Sequence, residues 1–158
     1  MSESSARAPA VVRMLSFHAP YVCREHGVCC TSGWPIPIEA RALDRSMQAL
    51  ASGRLRPVAD VASPFRMPAH APADTPAMVA CTDRGCVFHH TGGVQRCGIQ
   101  RTVGAEAMPQ ACRQFPRVAV RDPRGWSVTL SAVCPTAAAL LEGDGRPAIE
   151  CRDSPLVL

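Results

Sequence analysis

Nine cysteines are distributed along this 158-residue chain, and they constrain its fold more than any other feature of the sequence. Most of them fall in two groups, around residues 23–30 and around residues 81–97. Cysteines at this density usually form disulfides or bind metal ions. The odd count leaves at least one thiol unpaired in any scheme made of disulfides alone, so the count favours metal ligation.

The cellular compartment decides between disulfides and metal ligands. Glu3 and Arg13 interrupt the N-terminal sequence and leave no apolar stretch of the kind that a secretory signal contains. No apolar run is long enough to span a membrane either. We therefore predict a cytoplasmic protein without a membrane partner, in a compartment where thiols stay reduced and remain free to bind metal.

Large side chains are scarce, because aromatic residues make up 4% of the chain. Small side chains contribute less free energy on burial than large ones, so we expect a metal centre to supply part of the folding free energy. The formal net charge of +4 comes from scattered arginines and not from a basic block. This distribution does not predict a nucleic-acid partner.

The predicted fold is a small, irregular, cysteine-rich α+β domain, with short helices and one β-hairpin organised around a metal or iron–sulfur centre. Residues 1–15 are predicted to form a flexible leader, residues 16–142 the cysteine-cluster domain and residues 143–158 a C-terminal tail. Within the domain, residues 54–80 are rich in Pro and Ala and predict an irregular excursion.

Local patterns predict the individual elements. A helix is predicted to end near Ala51, and shorter helices are predicted over 99–107 and 136–142. The first helix is expected to face the core through Ile38, Leu43, Met47 and Leu50. Gly92-Gly93 predicts a tight hairpin that brings Cys86 and Cys97 close, and residues 121–125 predict the turn of a hairpin between 118–120 and 126–130.

Thiolates are soft ligands that suit zinc, copper(I) and iron–sulfur clusters, and a site needs about four of them. The sequence has neither the paired Cys-x-x-Cys knuckles of zinc ribbons nor the spacing of bacterial ferredoxins, so spacing alone does not select the metal. His89-His90 could add a nitrogen ligand, although a histidine pair beside a turn is more often solvated. Redox chemistry by a free thiol pair is another use open to these cysteines.

Longer motifs surround the cysteines in a definite order. An opening from Phe17 to Cys23 precedes Cys29-Cys30-Thr-Ser-Gly-Trp-Pro-Ile-Pro-Ile-Glu39. The later motifs are Cys86-Val-Phe, Cys97-Gly-Ile-Gln, Cys112-Arg-Gln-Phe-Pro-Arg117 and Leu130-Ser-Ala-Val-Cys134-Pro135. Over roughly residues 17–142 this order resembles the flagellin lysine-N-methylase family. It is also similar to a broader group of small cysteine-cluster proteins described as zinc- or iron-chelating domains.

For the methylase family, the resemblance implies an iron–sulfur cluster of the 4Fe-4S type, bound by cysteines. It also implies transfer of a methyl group from S-adenosylmethionine to protein lysines. Carried over residue by residue, the implied metal ligands are Cys23, Cys29, Cys30, Cys86, Cys97, Cys112 and Cys134. Cys81 and Cys151 fall outside the matched motifs and are treated as spare.

Two functions are predicted from these observations. The first is a metal-binding protein in an accessory or structural role, holding an iron–sulfur cluster or zinc. The alternative is an S-adenosylmethionine-dependent protein lysine N-methyltransferase with a protein substrate. The sequence contains no Gly-x-Gly-x-x-Gly motif after a strand, and no catalytic residue can be assigned from it.

Overall fold

The computed structural model describes residues 11–67, 75–91, 96–143 and 146–153. The helices are α1 (Val28–Thr31), α2 (Ala40–Ala51), α3 (Gly98–Thr102), α4 (Gln110–Gln114) and α5 (Pro135–Ala139). The strands are β1 (Val11–Leu15), β2 (Ile36–Ile38), β3 (Phe65–Arg66), β4 (Ala77–Val79), β5 (Cys81–Thr82), β6 (Gly85–Cys86), β7 (His89–His90), β8 (Arg96–Cys97), β9 (Arg117–Asp122), β10 (Gly125–Leu130) and β11 (Ile149–Asp153). Single 3-10 turns cover Ser16–His18, Ala105–Ala107 and Leu140–Glu142. This mixture of short helices and small sheets confirms the predicted α+β class.

The chain divides into two compact units. We call residues 1–22 together with 116–158 the sheet unit, and residues 23–115 the thiol unit. These divisions do not coincide with the predicted boundaries at residues 15 and 142. No helix in the described ranges is both long and apolar enough to cross a membrane.

The sheet unit contains a four-stranded sheet in the order β11-β1-β10-β9. Strands β9 and β10 form the hairpin predicted from the sequence, with Gly125 paired to Asp122 at the turn. Gly125 has a φ of 120°, and a Cβ atom there would lie 2.5 Å from the carbonyl oxygen of Val11. A glycine is therefore required where β1 runs beside the start of β10.

The ends of the sheet unit differ from their prediction. The sequence predicts a flexible leader over 1–15, but Val11–Leu15 forms β1, which is parallel to β10 and antiparallel to β11. Ile149–Asp153, within the predicted tail, forms β11. Val11–Leu15 shows no alternation of apolar and polar residues, and the alternation within Ile149–Asp153 covers only four residues, so the sequence pattern of a half-buried strand is absent from the first and short in the second. Residues 1–10 and 154–158 lie outside the described residues.

The thiol unit is built from much shorter strands, in the sheets β2-β4-β3, β5-β6 and β7-β8. The predicted hairpin near Gly92 is present as the β7–β8 pair, although residues 92–95 lie outside the described residues. The irregular excursion predicted over 54–80 contains strands β3 and β4. Its residues 68–74 also lie outside the described residues.

Helix α2 ends at Ala51 as predicted, but the predicted core face is partly wrong. Its buried residues are Ala42, Ser46 and Ala49. Leu43 and Leu50 are only partly buried against the core, and Met47 is 50% exposed. Small side chains on the inner face allow the helix backbone to approach the core closely, so the larger residues lie along its flanks. Ile38 is fully buried, but it belongs to β2.

The two later helix predictions are confirmed in shortened form. The segment 99–107 contains α3 and a 3-10 turn, separated where Gly104 takes a φ of 115°. Pro135 occupies the first turn of α5, where its missing N–H costs nothing. A 3-10 turn then extends this helical segment to Glu142.

Candidate metal centre

Six cysteines belong to the core of the thiol unit or pack against it. They are Cys29, Cys30, Cys81, Cys86, Cys97 and Cys112. The largest buried side chains of this core include Phe88, Ile38 and Leu55, and the rings of Phe65 and Phe88 lie 5.6 Å apart between centroids. The thiols therefore lie in apolar surroundings, where a charged thiolate is poorly solvated.

Five of these cysteines are each close enough to at least three of the others for the charge on one sulfur to raise the pKa of another. We call them the thiol cluster: Cys29, Cys30, Cys86, Cys97 and Cys112. They come from the four elements α1, β6, β8 and α4. One centre bound by this cluster would therefore connect four separate segments of the chain.

Burial and mutual repulsion both oppose ionisation of the cluster. Burial raises the pKa of Cys86 to about 12, with further contributions from the charges of Cys97, Cys81 and Cys29. Burial likewise raises the pKa of Cys112, again assisted by neighbouring thiolates. Several of these thiols can lose their protons together only if a cation neutralises the resulting charge.

Cys29 and Cys30 form the closest pair, with 3.9 Å between their sulfur atoms. The hydrogen bond from the Cys30 thiol lowers the pKa of Cys29 to about 7, whereas the same interaction raises the pKa of Cys30. The thiolate is the form that binds metal. Cys29 is therefore the cluster sulfur most readily available as a ligand near neutral pH.

Gly85 allows α1 and β6 to approach each other closely. Its φ is 100°, and a Cβ atom there would collide with the carbonyl oxygen of Cys30 and lie 3.0 Å from the Cα of Thr31. The β5–β6 hairpin therefore lies directly against the backbone of α1. This packing places Cys86 next to Cys30.

Cys81 was treated as spare from the sequence, but the structure places it at the cluster. It is the direct cross-strand partner of Cys86 in the β5–β6 hairpin, and its charge contributes to the raised pKa of Cys86. The sequence contained a usable signal for this contact. Asp83-Arg84-Gly85 lies between the two cysteines, and this composition is typical of a tight hairpin turn.

Glu39 fixes the position of α4, which carries Cys112. Its carboxylate accepts hydrogen bonds from the backbone N–H of Gln110, at 3.0 and 3.2 Å for its two oxygens. Gln110 is the first residue of α4, so a negative side chain satisfies a free donor at the N-terminus of this helix. A residue 71 positions away thereby holds a cluster cysteine in place.

An aromatic pair lies between the first and last segments of the thiol unit. The rings of Trp34 and Phe115 are 4.9 Å apart between centroids and tilted by 58°. Trp34 is half-buried and packs against the same core as the cysteines. Its role as an apolar cover that limits water access to a bound metal stays a prediction.

His89 is 4% exposed, so the expectation of a solvated histidine is wrong for this residue. It lies in β7 directly opposite Cys97 of β8. Burial lowers the pKa of His89, which favours the neutral ring. Its neighbour His90 is only half-buried.

Three cysteines have other surroundings. Cys23 is exposed, and its sulfur accepts a hydrogen bond from the backbone N–H of Glu25 at 3.4 Å. Cys134 belongs to the sheet unit, where it is buried with its sulfur 3.7 Å from the Tyr21 hydroxyl. Cys151 is exposed on β11, also in the sheet unit. The structure thus brings together five of the seven predicted ligands, and the assignment of Cys23 and Cys134 stays a prediction.

The donor set of the thiol cluster fits a thiophilic metal, because it offers five thiols from four segments in apolar surroundings. Among the described residues, no three His, Cys, Asp or Glu side chains already stand in an arrangement that could hold a single metal ion. Binding would therefore require the thiols to lose protons and their side chains to adjust.

No protein-family model, curated protein or solved structure matches this chain. The resemblance to the flagellin lysine-N-methylase family accordingly stays a prediction from the order of the cysteine motifs.

Proposed function

We propose that this chain is a metal-binding protein in which the thiol cluster holds an iron–sulfur cluster of the 4Fe-4S type, in an accessory or structural role. The observation that carries the proposal is the electrostatic proximity of five buried or half-buried thiols supplied by four elements. Thiolate donors in apolar surroundings are what iron–sulfur clusters and structural zinc require. The order of the motifs favours the iron–sulfur cluster over zinc.

The short strands around the cluster support a structural role. Strands β5, β6, β7 and β8 have two residues each, and two-stranded pairs of this length have little stability of their own. A metal centre bound by α1, β6, β8 and α4 would connect these segments. Its binding free energy would then become part of the folding free energy of the thiol unit.

The methyltransferase alternative stays a prediction that rests on the resemblance alone. Calorimetric titration of the metal-loaded protein with S-adenosylmethionine tests it directly. Absence of binding would count heavily against an enzyme of that class.

Anaerobic purification followed by iron, sulfide and zinc analysis tests the proposed function. We expect about four iron and about four sulfide per chain, with a broad absorption band near 400 nm that is typical of cysteine-ligated clusters. Stoichiometric zinc without colour would instead assign a structural zinc site. A chain that retains neither metal would contradict the proposal.

Two matched variants connect the metal to the thiol cluster. Cys112→Ser removes a cluster thiol, and we expect a loss of most of the bound metal. Cys151→Ser removes an exposed thiol of the sheet unit and should leave the metal content unchanged. Equal metal content in the two variants would contradict the assignment of the site to the cluster.

A further inference from the structure

The His89 imidazole is buried without a hydrogen-bond partner. Neither its Nδ1 nor its Nε2 atom has one among the residues that the structure describes, and the side chain is 4% exposed. A buried polar group left without a partner destabilises the fold. Such a group in a native fold requires a bound water, an ion or another ligand to satisfy it.

The strand register directs His89 toward the thiol cluster. His89 and Cys97 are direct partners in the antiparallel β7–β8 pair, so their side chains project from the same face of this ribbon as neighbours. Cys97 is a member of the cluster, and its charge contributes to the raised pKa of Cys30, Cys86 and Cys112. The imidazole is therefore adjacent to the proposed metal centre.

His90 has the opposite placement. Successive residues of a strand project to opposite faces, so His90 faces away from Cys97. Its Nε2 atom lies against Gly98, where a Cβ atom would be only 2.9 Å away. The chain thus provides a control histidine directly beside the candidate.

We propose that His89 supplies a nitrogen ligand to the metal centre of the thiol cluster, next to Cys97. This inference rests on the proposed function and gives one of the four ligand positions of the cluster to an imidazole in place of a thiolate. Iron–sulfur clusters and zinc both accept imidazole beside thiolates. Coordination satisfies one ring nitrogen, while the other carries the proton of the neutral ring.

A nitrogen ligand changes the electronic properties of the centre. Imidazole is neutral whereas a thiolate is negative, so replacing one thiolate by imidazole makes the whole metal centre less negative. In iron–sulfur proteins this exchange raises the reduction potential. We therefore expect a potential above that of the same centre bound by thiolates alone.

Pulsed electron paramagnetic resonance on the anaerobically purified full-length chain tests the proposal. The protein is prepared with natural-abundance histidine and with ¹⁵N-histidine, and the cluster is reduced with dithionite. We expect a nitrogen coupling of the size typical of a directly bound imidazole, with an isotope shift in the labelled protein. If zinc is the metal, the cobalt(II)-exchanged protein reports the same coupling.

Three variants assign the signal. His89→Ala should abolish the coupling and reduce the metal content, whereas His90→Ala should change neither. His89→Cys restores a metal ligand, so it should retain the metal, lose the coupling and show a lower reduction potential. This last variant separates loss of a ligand from a failure to fold.

The outcomes distinguish this inference from the function on which it rests. A wild-type protein that binds metal but shows no nitrogen coupling would overturn the role of His89 and leave the metal-binding function intact. A coupling that persists in His89→Ala would overturn it as well. A wild-type protein that binds no metal would overturn both.

Discussion

The sheet unit and the thiol unit are stabilised by different kinds of interaction. In the sheet unit, β1 pairs with β11 through five residues and β9 pairs with β10 through six. In the thiol unit, each strand has only two or three residues. Backbone hydrogen bonds can therefore organise the first unit, whereas the second depends more on side-chain packing and, under the proposed function, on a bound metal centre.

The two units also differ in their cysteines, because the sheet unit has Cys134 buried and Cys151 exposed. The core of the thiol unit includes Cys30 and Cys86 and is flanked by four further half-buried cysteines. The stability of such a core depends on the protonation state of its thiols, because protonated thiols pack as small apolar groups whereas thiolates repel one another. The comparison predicts that changes at the cluster act on the thiol unit first.

Removal of the metal should have the largest effect. An iron chelator with a thiol reductant, applied anaerobically, should accelerate exchange of the protected amides of residues 23–115 by about a hundredfold or more, or about 3 kcal/mol. The amides of β9 and β10 should change far less, because their hydrogen bonds belong to the sheet unit. Hydrogen exchange read by mass spectrometry measures both regions in one sample. Equal acceleration of amide exchange in the two units would show that the metal does not stabilise the thiol unit selectively.

Two glycine substitutions should lower the stability of the protein by intermediate amounts, but only one of them should also lower its metal content. Gly85→Ala forces a Cβ atom against the Cys30 carbonyl and places alanine at a φ of 100°, so it should destabilise the protein by about 2–3 kcal/mol and lower its metal content. Gly125→Ala introduces a similar clash beside β1. It should reduce the free energy of unfolding comparably while the metal content stays unchanged.

Denaturant unfolding and metal analysis on both glycine variants provide the comparison. If Gly85→Ala retains its full metal content, then the close packing of β6 on α1 is not what positions the cluster cysteines.

The smallest effect is expected at Glu39. Glu39→Ala removes the acceptor for the first N–H of α4 and should reduce the free energy of unfolding by about 1 kcal/mol, with faster loss of metal to a chelator. Glu106→Ala is the control, because this carboxylate is 60% exposed in its ion pair with Arg45. Exposed pairs contribute little, so both stability and metal retention should stay near the wild-type values. Equal rates of metal loss in Glu39→Ala and Glu106→Ala would show that Glu39 does not help to hold the metal site.

Local features of the fold could be predicted from the sequence because the residues that determine them are adjacent. The turn around Pro123 and Gly125 fixes the β9–β10 hairpin, and Pro135 marks the start of α5. Strand β1 could not be predicted in this way. Its partners β10 and β11 lie more than a hundred residues along the chain, and its own residues carry no alternating pattern.

The thiols of the candidate site could be predicted from the sequence, whereas the positions of Cys81 and His89 beside them were not predicted. All five members of the thiol cluster are among the seven ligands that the resemblance of the cysteine motifs implies, whereas Cys23 and Cys134 have other surroundings. Cys81 lies outside those motifs, and the signal for its pairing with Cys86 is the turn composition of Asp83-Arg84-Gly85. The burial of His89 could not be predicted, because it depends on how β7 and β8 pack in the unit and not on neighbouring residues.

The pairing of β1 has a consequence for the order in which the chain acquires structure. Val12 of β1 pairs with Trp126 of β10. During synthesis, β1 and β10 therefore cannot pair until β10 has left the ribosome. Residues 23–115 are contiguous and are complete before that moment. The thiol unit can therefore form before the sheet unit is complete, and a metal centre of the proposed kind would assemble while β1 still lacks its partner strand.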